Sequence, residues 1–208
     1  MNLNDALTEI AAFLRLDADA LKAYADEDTL GGFHFDDAQS TFPGGSLWGV
    51  EGQVLYSLVR ALKPENALEL GTWHGASATH ILAAQGVNLC GVLDSVDHWE
   101  GAGALVPHEL RSPWYLYHME AVAFLRSDRS DDDYDFAYED CIHSESEVYA
   151  IVTALKPKLK RGAVVVHHDS EHGDDGDQIR RALTRAGVNY RSWLISPSDC
   201  GLGIWVAE

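Results

Sequence analysis

The stretch "NALELGTWHGASATHILAAQG", residues 66–86, decides the fold. Its first six residues are a short apolar run ending in glycine, which reads as a buried strand entering a sharp turn. From Ser77 the apolar residues return at helical spacing, and Gly86 is the expected stop of that helix. Strand, glycine turn and helix form the unit whose repetition builds a parallel sheet.

Downstream the alternation continues. "LCGVLD" (89–94), "PWYLYH" (113–118), "DYDFAYED" (133–140) and "GAVVVHHD" (162–169) read as strands. "MEAVAFLRS" (119–127), "SESEVYAIVTALKPKL" (144–159) and "GDQIRRALTRAG" (176–187) read as helices. "NYRSWLIS" (189–196) and "GLGIWVAE" (201–208) close the chain as a hairpin. The expectation is an α/β, Rossmann-like, seven-stranded and mostly parallel sheet, with a C-terminal antiparallel hairpin and helices on both faces. Upstream, "LWGVEGQVLYSLVRAL" (47–62) has helical spacing and residues 31–46 form a loop by their glycines and proline. Residues 4–24 read as one or two amphipathic helices carrying Leu7, Ile10, Phe13 and Leu14 on one stripe. Residues 1–46 are therefore taken as an N-terminal helical segment with a covering loop, and 47–208 as the main domain.

Composition narrows the function. The 208 residues carry 33 acidic and 15 basic side chains, a net charge of −18. So negative a surface repels phosphate backbones, and no nucleic-acid partner is expected. The one basic cluster, "KPKLKR" (156–161), reads as a helix end whose cations offset the macrodipole. Three widely spaced cysteines and no CxxC pair indicate a reducing compartment. The acidic, helical N-terminus lacks the features of a signal peptide, and no apolar run is long enough to span a bilayer. A cytoplasmic location without membrane attachment is the expectation.

In parallel sheets of this kind ligands bind at the carboxyl ends of the strands. Those ends here are "ELG", "LD", "ED" and "HHD", so acids and histidines gather on one edge. The first strand runs into E-x-G-x-x-x-G, with Glu69, Gly71 and Gly75. Glycine at 71 permits the turn, and glycine at 75 permits close approach of a ligand at the helix start. An acid some twenty residues on is where a ribose hydroxyl is bound; Asp94 and Asp97 both qualify.

"ALELGTWHGASATHI", "VDHWEG", "YDFAYEDCIHSE" and "LKRGAVVVHHD", in that order, resemble the class I S-adenosylmethionine-dependent methyltransferases. The resemblance spans residues 47–208 and is strongest to the small O-methyltransferase-like branch that often uses a divalent metal. It implies that Glu69, Gly71 and Gly75 line the methionine end of S-adenosylmethionine, and that Asp94 or Asp97 binds the ribose. It places Glu120 and Ala121 near the adenine and Glu51 in a helix that covers the cofactor pocket. By the same likeness Asp140 is a metal ligand and His143, three residues on, the base that takes the substrate proton. His168 and Asp169 occupy the two further ligand positions. A carboxylate or carboxamide is expected at 168, so the sequence departs from the pattern there. Histidine suits Mn, Fe, Co, Ni or Zn better than Mg or Ca.

The chemistry is coherent. Methyl transfer from a sulfonium is an in-line displacement in which the nucleophile sheds its proton and points at the methyl group. His167 and His168 face opposite sides of an extended strand, so they do not share one ion. Trp99, Trp114 and Tyr115, with residues 98–116 and the N-terminal "FHFDDAQSTF", suggest a pocket for a small hydroxylated acceptor of sugar or polyketide type. The N-terminal helices and closing hairpin are where a homo-oligomer contact is expected by fold analogy. Two rival readings are a nucleotide-linked oxidoreductase, disfavoured by the missing G-x-G-x-x-G, and a catalytically silent cofactor-binding module.

Overall fold

A computed structural model describes residues 1–28, 30, 49–111, 113–128, 130, 133–195 and 200–208. Three helices lead in: α1 (Leu3–Leu14), α2 (Ala18–Glu27) and α3 (Gly49–Leu62). Asn2 and Asp17 cap the first two, each accepting backbone N–H groups of the opening turn. The alternating part follows as β1 (Asn66–Leu70), α4 (Ala76–Asn88), β2 (Val92–Asp97), β3 (Trp114–His118), α5 (Ala121–Leu125) and β4 (Tyr134–Glu139). It ends with α6 (Glu145–Leu155), β5 (Leu159–His167), α7 (Gly173–Arg185), β6 (Tyr190–Trp193) and β7 (Leu202–Val206). The expected covering loop, residues 31–46, lies outside the described residues.

The seven strands form one sheet in the order β3-β2-β1-β4-β5-β7-β6. The first five are parallel, and β7 runs antiparallel between β5 and β6. The valine run of β5 shows why both faces are covered: Val164 and Val166 join a core with α1 to α4, while Val165 joins one with α5 to α7. Leu7, Ile10 and Leu21 of the N-terminal helices lie in the first of these cores.

Among the boundaries that differ from the sequence expectation, three have a clear physical reason. Helix α4 runs through Gly86 to Asn88, because the turn before Gly86 is buried and Asn88 donates to the Val59 carbonyl of α3 at 2.9 Å, which together outweigh the glycine's cost of about 1 kcal/mol. Leu89, in the left-handed conformation, caps it instead. Strand β2 therefore starts at Val92 and runs to Asp97; the polar Ser95 at its centre is buried because its hydroxyl is bonded to Glu69. Helix α6 stops at Leu155, ahead of Pro157, and β5 begins at Leu159. Lys160 of the basic cluster lies 3.4–3.6 Å from carboxylates of Asp135, Asp133 and Glu65, so its charge is locally offset. Among the described residues no helix is long and apolar enough to cross a membrane.

β1 lies at the switch point, with β2 on one side and β4 on the other. Its terminal glycine, Gly71, sits at φ +85°, and a β-carbon there would overlap the carbonyl of Asp140 at the end of β4. Gly71→Ala is expected to lower unfolding free energy by about 2–4 kcal/mol, from left-handed strain and backbone overlap together. Urea denaturation measures it; a loss below 0.5 kcal/mol, about the scatter of neutral surface changes, contradicts the crowding.

Candidate active site

The turn after β1 is held from below and from the side by two carboxylates. Glu69, fully buried, accepts hydrogen bonds from the hydroxyls of Thr72 (3.0 Å), Ser77 (2.6 Å) and Ser95 (2.5 Å). Asp97, at the end of β2, accepts the backbone N–H groups of Thr72 (3.0 Å), Trp73 (2.8 Å) and Trp99 (2.8 Å). Trp73, at φ +46°, lays its ring against Trp99 with centroids 4.7 Å apart.

Above this turn opens a cavity of about 590 Å³. On the β2–β3 side its wall includes Gly71, Asp97, His98, Glu120 and Ala121. On the β4–β5 side it includes Asp140, His143 and Asp169. The His98 ring stands 3.9 Å from both Asp97 and Glu120. Asp94, by contrast, is buried with its carboxylate accepting from Tyr134 at 2.8 Å, so of the two ribose candidates the cavity wall holds Asp97.

The β4–β5 side brings two acids and two imidazoles together. Asp140 Oδ1 lies 3.2 Å from His168 Nδ1 and 3.5 Å from His143 Nε2. Asp169 lies 3.5 Å from His168 Nδ1 and 3.2 Å from His143 Nδ1. Behind them Glu51, fully buried on α3, meets His168 Nε2 at 3.0 Å and accepts the Gly201 N–H at 2.8 Å. Burial pulls both histidines toward neutrality, yet the carboxylates prevail: His143 rises to about 9 and His168 well above its ordinary range. Burial likewise opposes ionisation of Asp140, but the charges of His168 and His143 hold its carboxyl well below the usual range.

The adjacent His167 plays a different part. It is fully buried, with Nδ1 2.7 Å from Glu139 and Nε2 accepting the Trp205 indole N–H at 2.9 Å. An indole only donates, so Nε2 bears a lone pair and Nδ1 the proton. His167 braces the sheet and, as alternation requires, takes no part in the cluster.

The donor set fits a divalent ion. Asp140, His143 and Asp169 offer ligand atoms all within 4.8 Å of one another, as do His168, Asp169 and Cys200. Contacts pointing into the cluster measure 3.2–3.5 Å, longer than the roughly 2.7–2.9 Å of charge-assisted hydrogen bonds. Around an ion with bonds of about 2.1 Å, neighbouring ligand atoms stand roughly 3.0–3.4 Å apart. The Nε2 atom of His143 is buried without a hydrogen-bond partner.

Comparison with known proteins agrees with the geometry. Residues 68–170 match the family described as a methyltransferase domain. By that match the central part of the chain is a methyltransferase domain. A Bacillus cereus O-methyltransferase solved in complex with SAH is similar over 98% of this chain and 97% of that one, at 15% identity and a TM-score of 0.64. A Podospora anserina methyltransferase bound to SAH covers 92% of this chain and 95% of its own, at 13% identity and a TM-score of 0.61. Aeropyrum pernix fibrillarin with natively bound S-adenosyl-L-methionine covers 68% and 66%, at 17% identity and a TM-score of 0.55. At these identities the likeness is one of fold. No curated protein sequence matches significantly.

In this methyltransferase the residues expected at the site divide in two. Gly71, Asp97, Glu120, Ala121, Asp140, His143 and Asp169 reach the cavity, and His168 stands directly behind Asp140 and Asp169. Glu51, Glu69 and Gly75 stand behind the wall. Glu51 is spent on His168 and Gly201, and Glu69 on three hydroxyls. A β-carbon on Gly75 would run into Val106 of the loop over the turn, so packing of the protein itself requires glycine there. Of the aromatics expected around an acceptor, Trp99 lines the cavity, Trp114 donates to Ser95 at 2.8 Å and Tyr115 faces solvent. Trp73 is a wall residue that no spacing in the sequence marks out, and His98 comes from the 98–116 segment expected at the pocket.

Burial, opposed by the three hydroxyls, pushes the Glu69 carboxyl from 4.5 up to about 7. Below pH 4.5 it is protonated folded and unfolded alike and contributes no pH dependence. Above that value ionisation favours the unfolded chain, and stability falls until about pH 7, by up to about 3 kcal/mol. The stability difference between wild type and Glu69→Gln, measured by urea unfolding at pH 5 and pH 8, is expected to move in favour of the variant at the higher pH. A difference unchanged across that window contradicts the assignment.

Proposed function

We propose that the chain transfers the methyl group of S-adenosylmethionine to a hydroxyl oxygen of a small molecule, assisted by a divalent metal at Asp140, His168 and Asp169, with His143 as general base. The reading rests on one observation. Asp140, His143, His168 and Asp169 converge at the end of the cavity opposite Asp97 and Glu120. SAH, bound in the Bacillus cereus and Podospora anserina structures, is the demethylated form of this donor. The donor is assigned to the β2–β3 side, with its ribose on Asp97 and its adenine by Glu120 and Ala121. The acceptor enters on the β4–β5 side.

Within that arrangement each side chain has a task. The Asp97 carboxylate holds the turn in place, so that Gly71 presents bare backbone to the donor. Asp140, His168 and Asp169 would hold the metal, which when bound would lower the pKa of the acceptor hydroxyl. His143, its Nδ1 anchored 3.2 Å from Asp169, takes the hydroxyl proton at Nε2 in its neutral form, which predominates only above about pH 9. Trp73 and Trp99 wall the cavity against water and offer a flat surface to a ring-shaped acceptor, of sugar or polyketide type.

The test is methyl transfer from labelled S-adenosylmethionine to a panel of hydroxylated acceptors, with and without a chelator. His143→Ala is expected to lower kcat by about 10²–10⁴-fold while leaving affinity for S-adenosylmethionine within a few-fold. Asp140→Ala is expected to lose both transfer and bound metal. Undiminished transfer in Asp140→Ala removes the metal reading, and tight NAD binding without S-adenosylmethionine binding removes the methyltransferase reading.

A further inference from the structure

The cavity is one-sided in charge. Five carboxyl groups line it, those of Asp97, Glu120, Asp140, Glu147 and Asp169, and among the described residues no lysine or arginine does. Between Lys22 and Arg60 the sequence holds neither residue type, so the undescribed stretch before α3 supplies no such cation either. Arg111, the only one in residues 98–113, donates to the carbonyls of Val106 (3.0 Å) and Ala104 (3.2 Å).

The topology explains where the cations went. A helix that leads into a parallel strand of this sheet starts by the carboxyl edge, where the cavity lies, and ends at the amino edge. Arg60 lies in the last turn of α3, Arg126 caps α5, Lys156 and Lys158 follow α6, and Arg185 closes α7. These charges suit the negative ends of their helices. The opposite, positive ends would by themselves attract an anion. Here the protein's own acids hold them: Glu145 and Glu147 in the first turn of α6, Asp174 and Asp175 in that of α7.

Charge balance in the cavity then bears on the acceptor. One divalent ion, or protonation of both His143 and His168, offsets two of the five carboxylates. S-adenosylmethionine, with a sulfonium, an ammonium and a carboxylate, offsets one more. Carboxylates remain in excess, and a cleft with walls of one sign focuses its field on whatever enters. An anionic group would meet that field with no lysine or arginine to pair with.

We infer that the cavity selects its acceptor by charge: it takes a neutral or ammonium-bearing hydroxylated molecule and turns away one that carries a phosphate or a carboxylate. This rests on the acceptor reading given under Proposed function. Sugar phosphates, and intermediates still attached to a phosphate-bearing carrier, are excluded. The reaction that supplies the acceptor must therefore leave it free, by hydrolysis from such a carrier or removal of the phosphate.

Two measurements on the full-length protein test this. The first needs no acceptor. Ile142 lines the cavity and is 58% exposed, so Ile142→Cys places a reactive thiol in the wall. Its rates with two methanethiosulfonates, one bearing an ammonium and one a sulfonate, are followed by peptide mass mapping. Cys90, exposed just before β2 at the opposite edge, is the internal reference. The ratio of cationic to anionic rate is expected to be about tenfold or more larger at the introduced thiol than at Cys90. That excess is expected to shrink several-fold in about 1 M salt, where exposed charges are screened within roughly 3 Å. A ratio within about twofold of that at Cys90 overturns the inference.

The second measurement is kcat/KM for methyl transfer to one hydroxylated ring bearing an aminomethyl, hydroxymethyl, carboxyl or phosphomethyl group. The two anionic members are expected to fall roughly 100-fold or more below the other two. Glu147→Lys, which puts a cation in the wall, is expected to narrow that gap at least about fivefold. An anionic member methylated as well as the neutral one overturns the inference, as does an unchanged gap in folded Glu147→Lys. Should that variant not fold, the thiol rates and the wild-type series decide. Transfer to no member of the series counts against the proposed function alone, because the thiol rates are read without it.

Discussion

The register of β4 against β5 is the constraint on which the site depends. Glu139 stands beside His167 in the parallel ladder, and the His168 N–H donates to the Glu139 carbonyl at 3.0 Å. That pairing brings the two residues after it, Asp140 and His168, onto the same side at the same level. A slip of one residue would send His168 into the core and His167 to the cavity. The buried line Glu139–His167–Trp205 prevents it, tying β4, β5 and β7 together by hydrogen bonds that a shifted register cannot make. The two adjacent histidines thus divide the labour: one locks the strands, the other serves the site.

Charge is arranged on two scales. At short range the cluster alternates acid and imidazole, so each charge has an opposite neighbour within 3.5 Å. At long range the chain carries −18. S-adenosylmethionine and divalent metals are cations, and such a field raises their local concentration and rate of encounter. The same field holds off polyanions.

The sequence showed what depends on local pattern. Strand ends fall on one edge because a parallel sheet requires it, so "ELG", "ED" and "HHD" could be placed together before any coordinates. The pairing of Asp140 with His143 followed from the family resemblance, which the three-residue spacing fits. What stayed hidden depends on contacts between distant segments. Glu51 reads as one acid on an amphipathic helix; only folding shows that it lies against residue 168. Asp94 and Asp97 could not be separated, because the end of β2 depends on Ser95 being buried by a bond to Glu69 from the neighbouring strand. Gly75 has the composition of a ligand-binding turn, yet the space at its α-carbon is filled by Val106 and Gly103. Gly86 carried a stop signal that burial of the turn before it and the bond of Asn88 to α3 overrode.

The three backbone N–H groups gathered by Asp97 have a kinetic meaning. Loops that must close over a ligand make association wait on their own rearrangement, and they surrender part of the contact energy to ordering. Here the turn after β1 is already drawn into shape by a side chain of the protein itself, before any ligand arrives. A ligand meeting this turn would find it already shaped, so its association would wait on encounter rather than on folding of the turn.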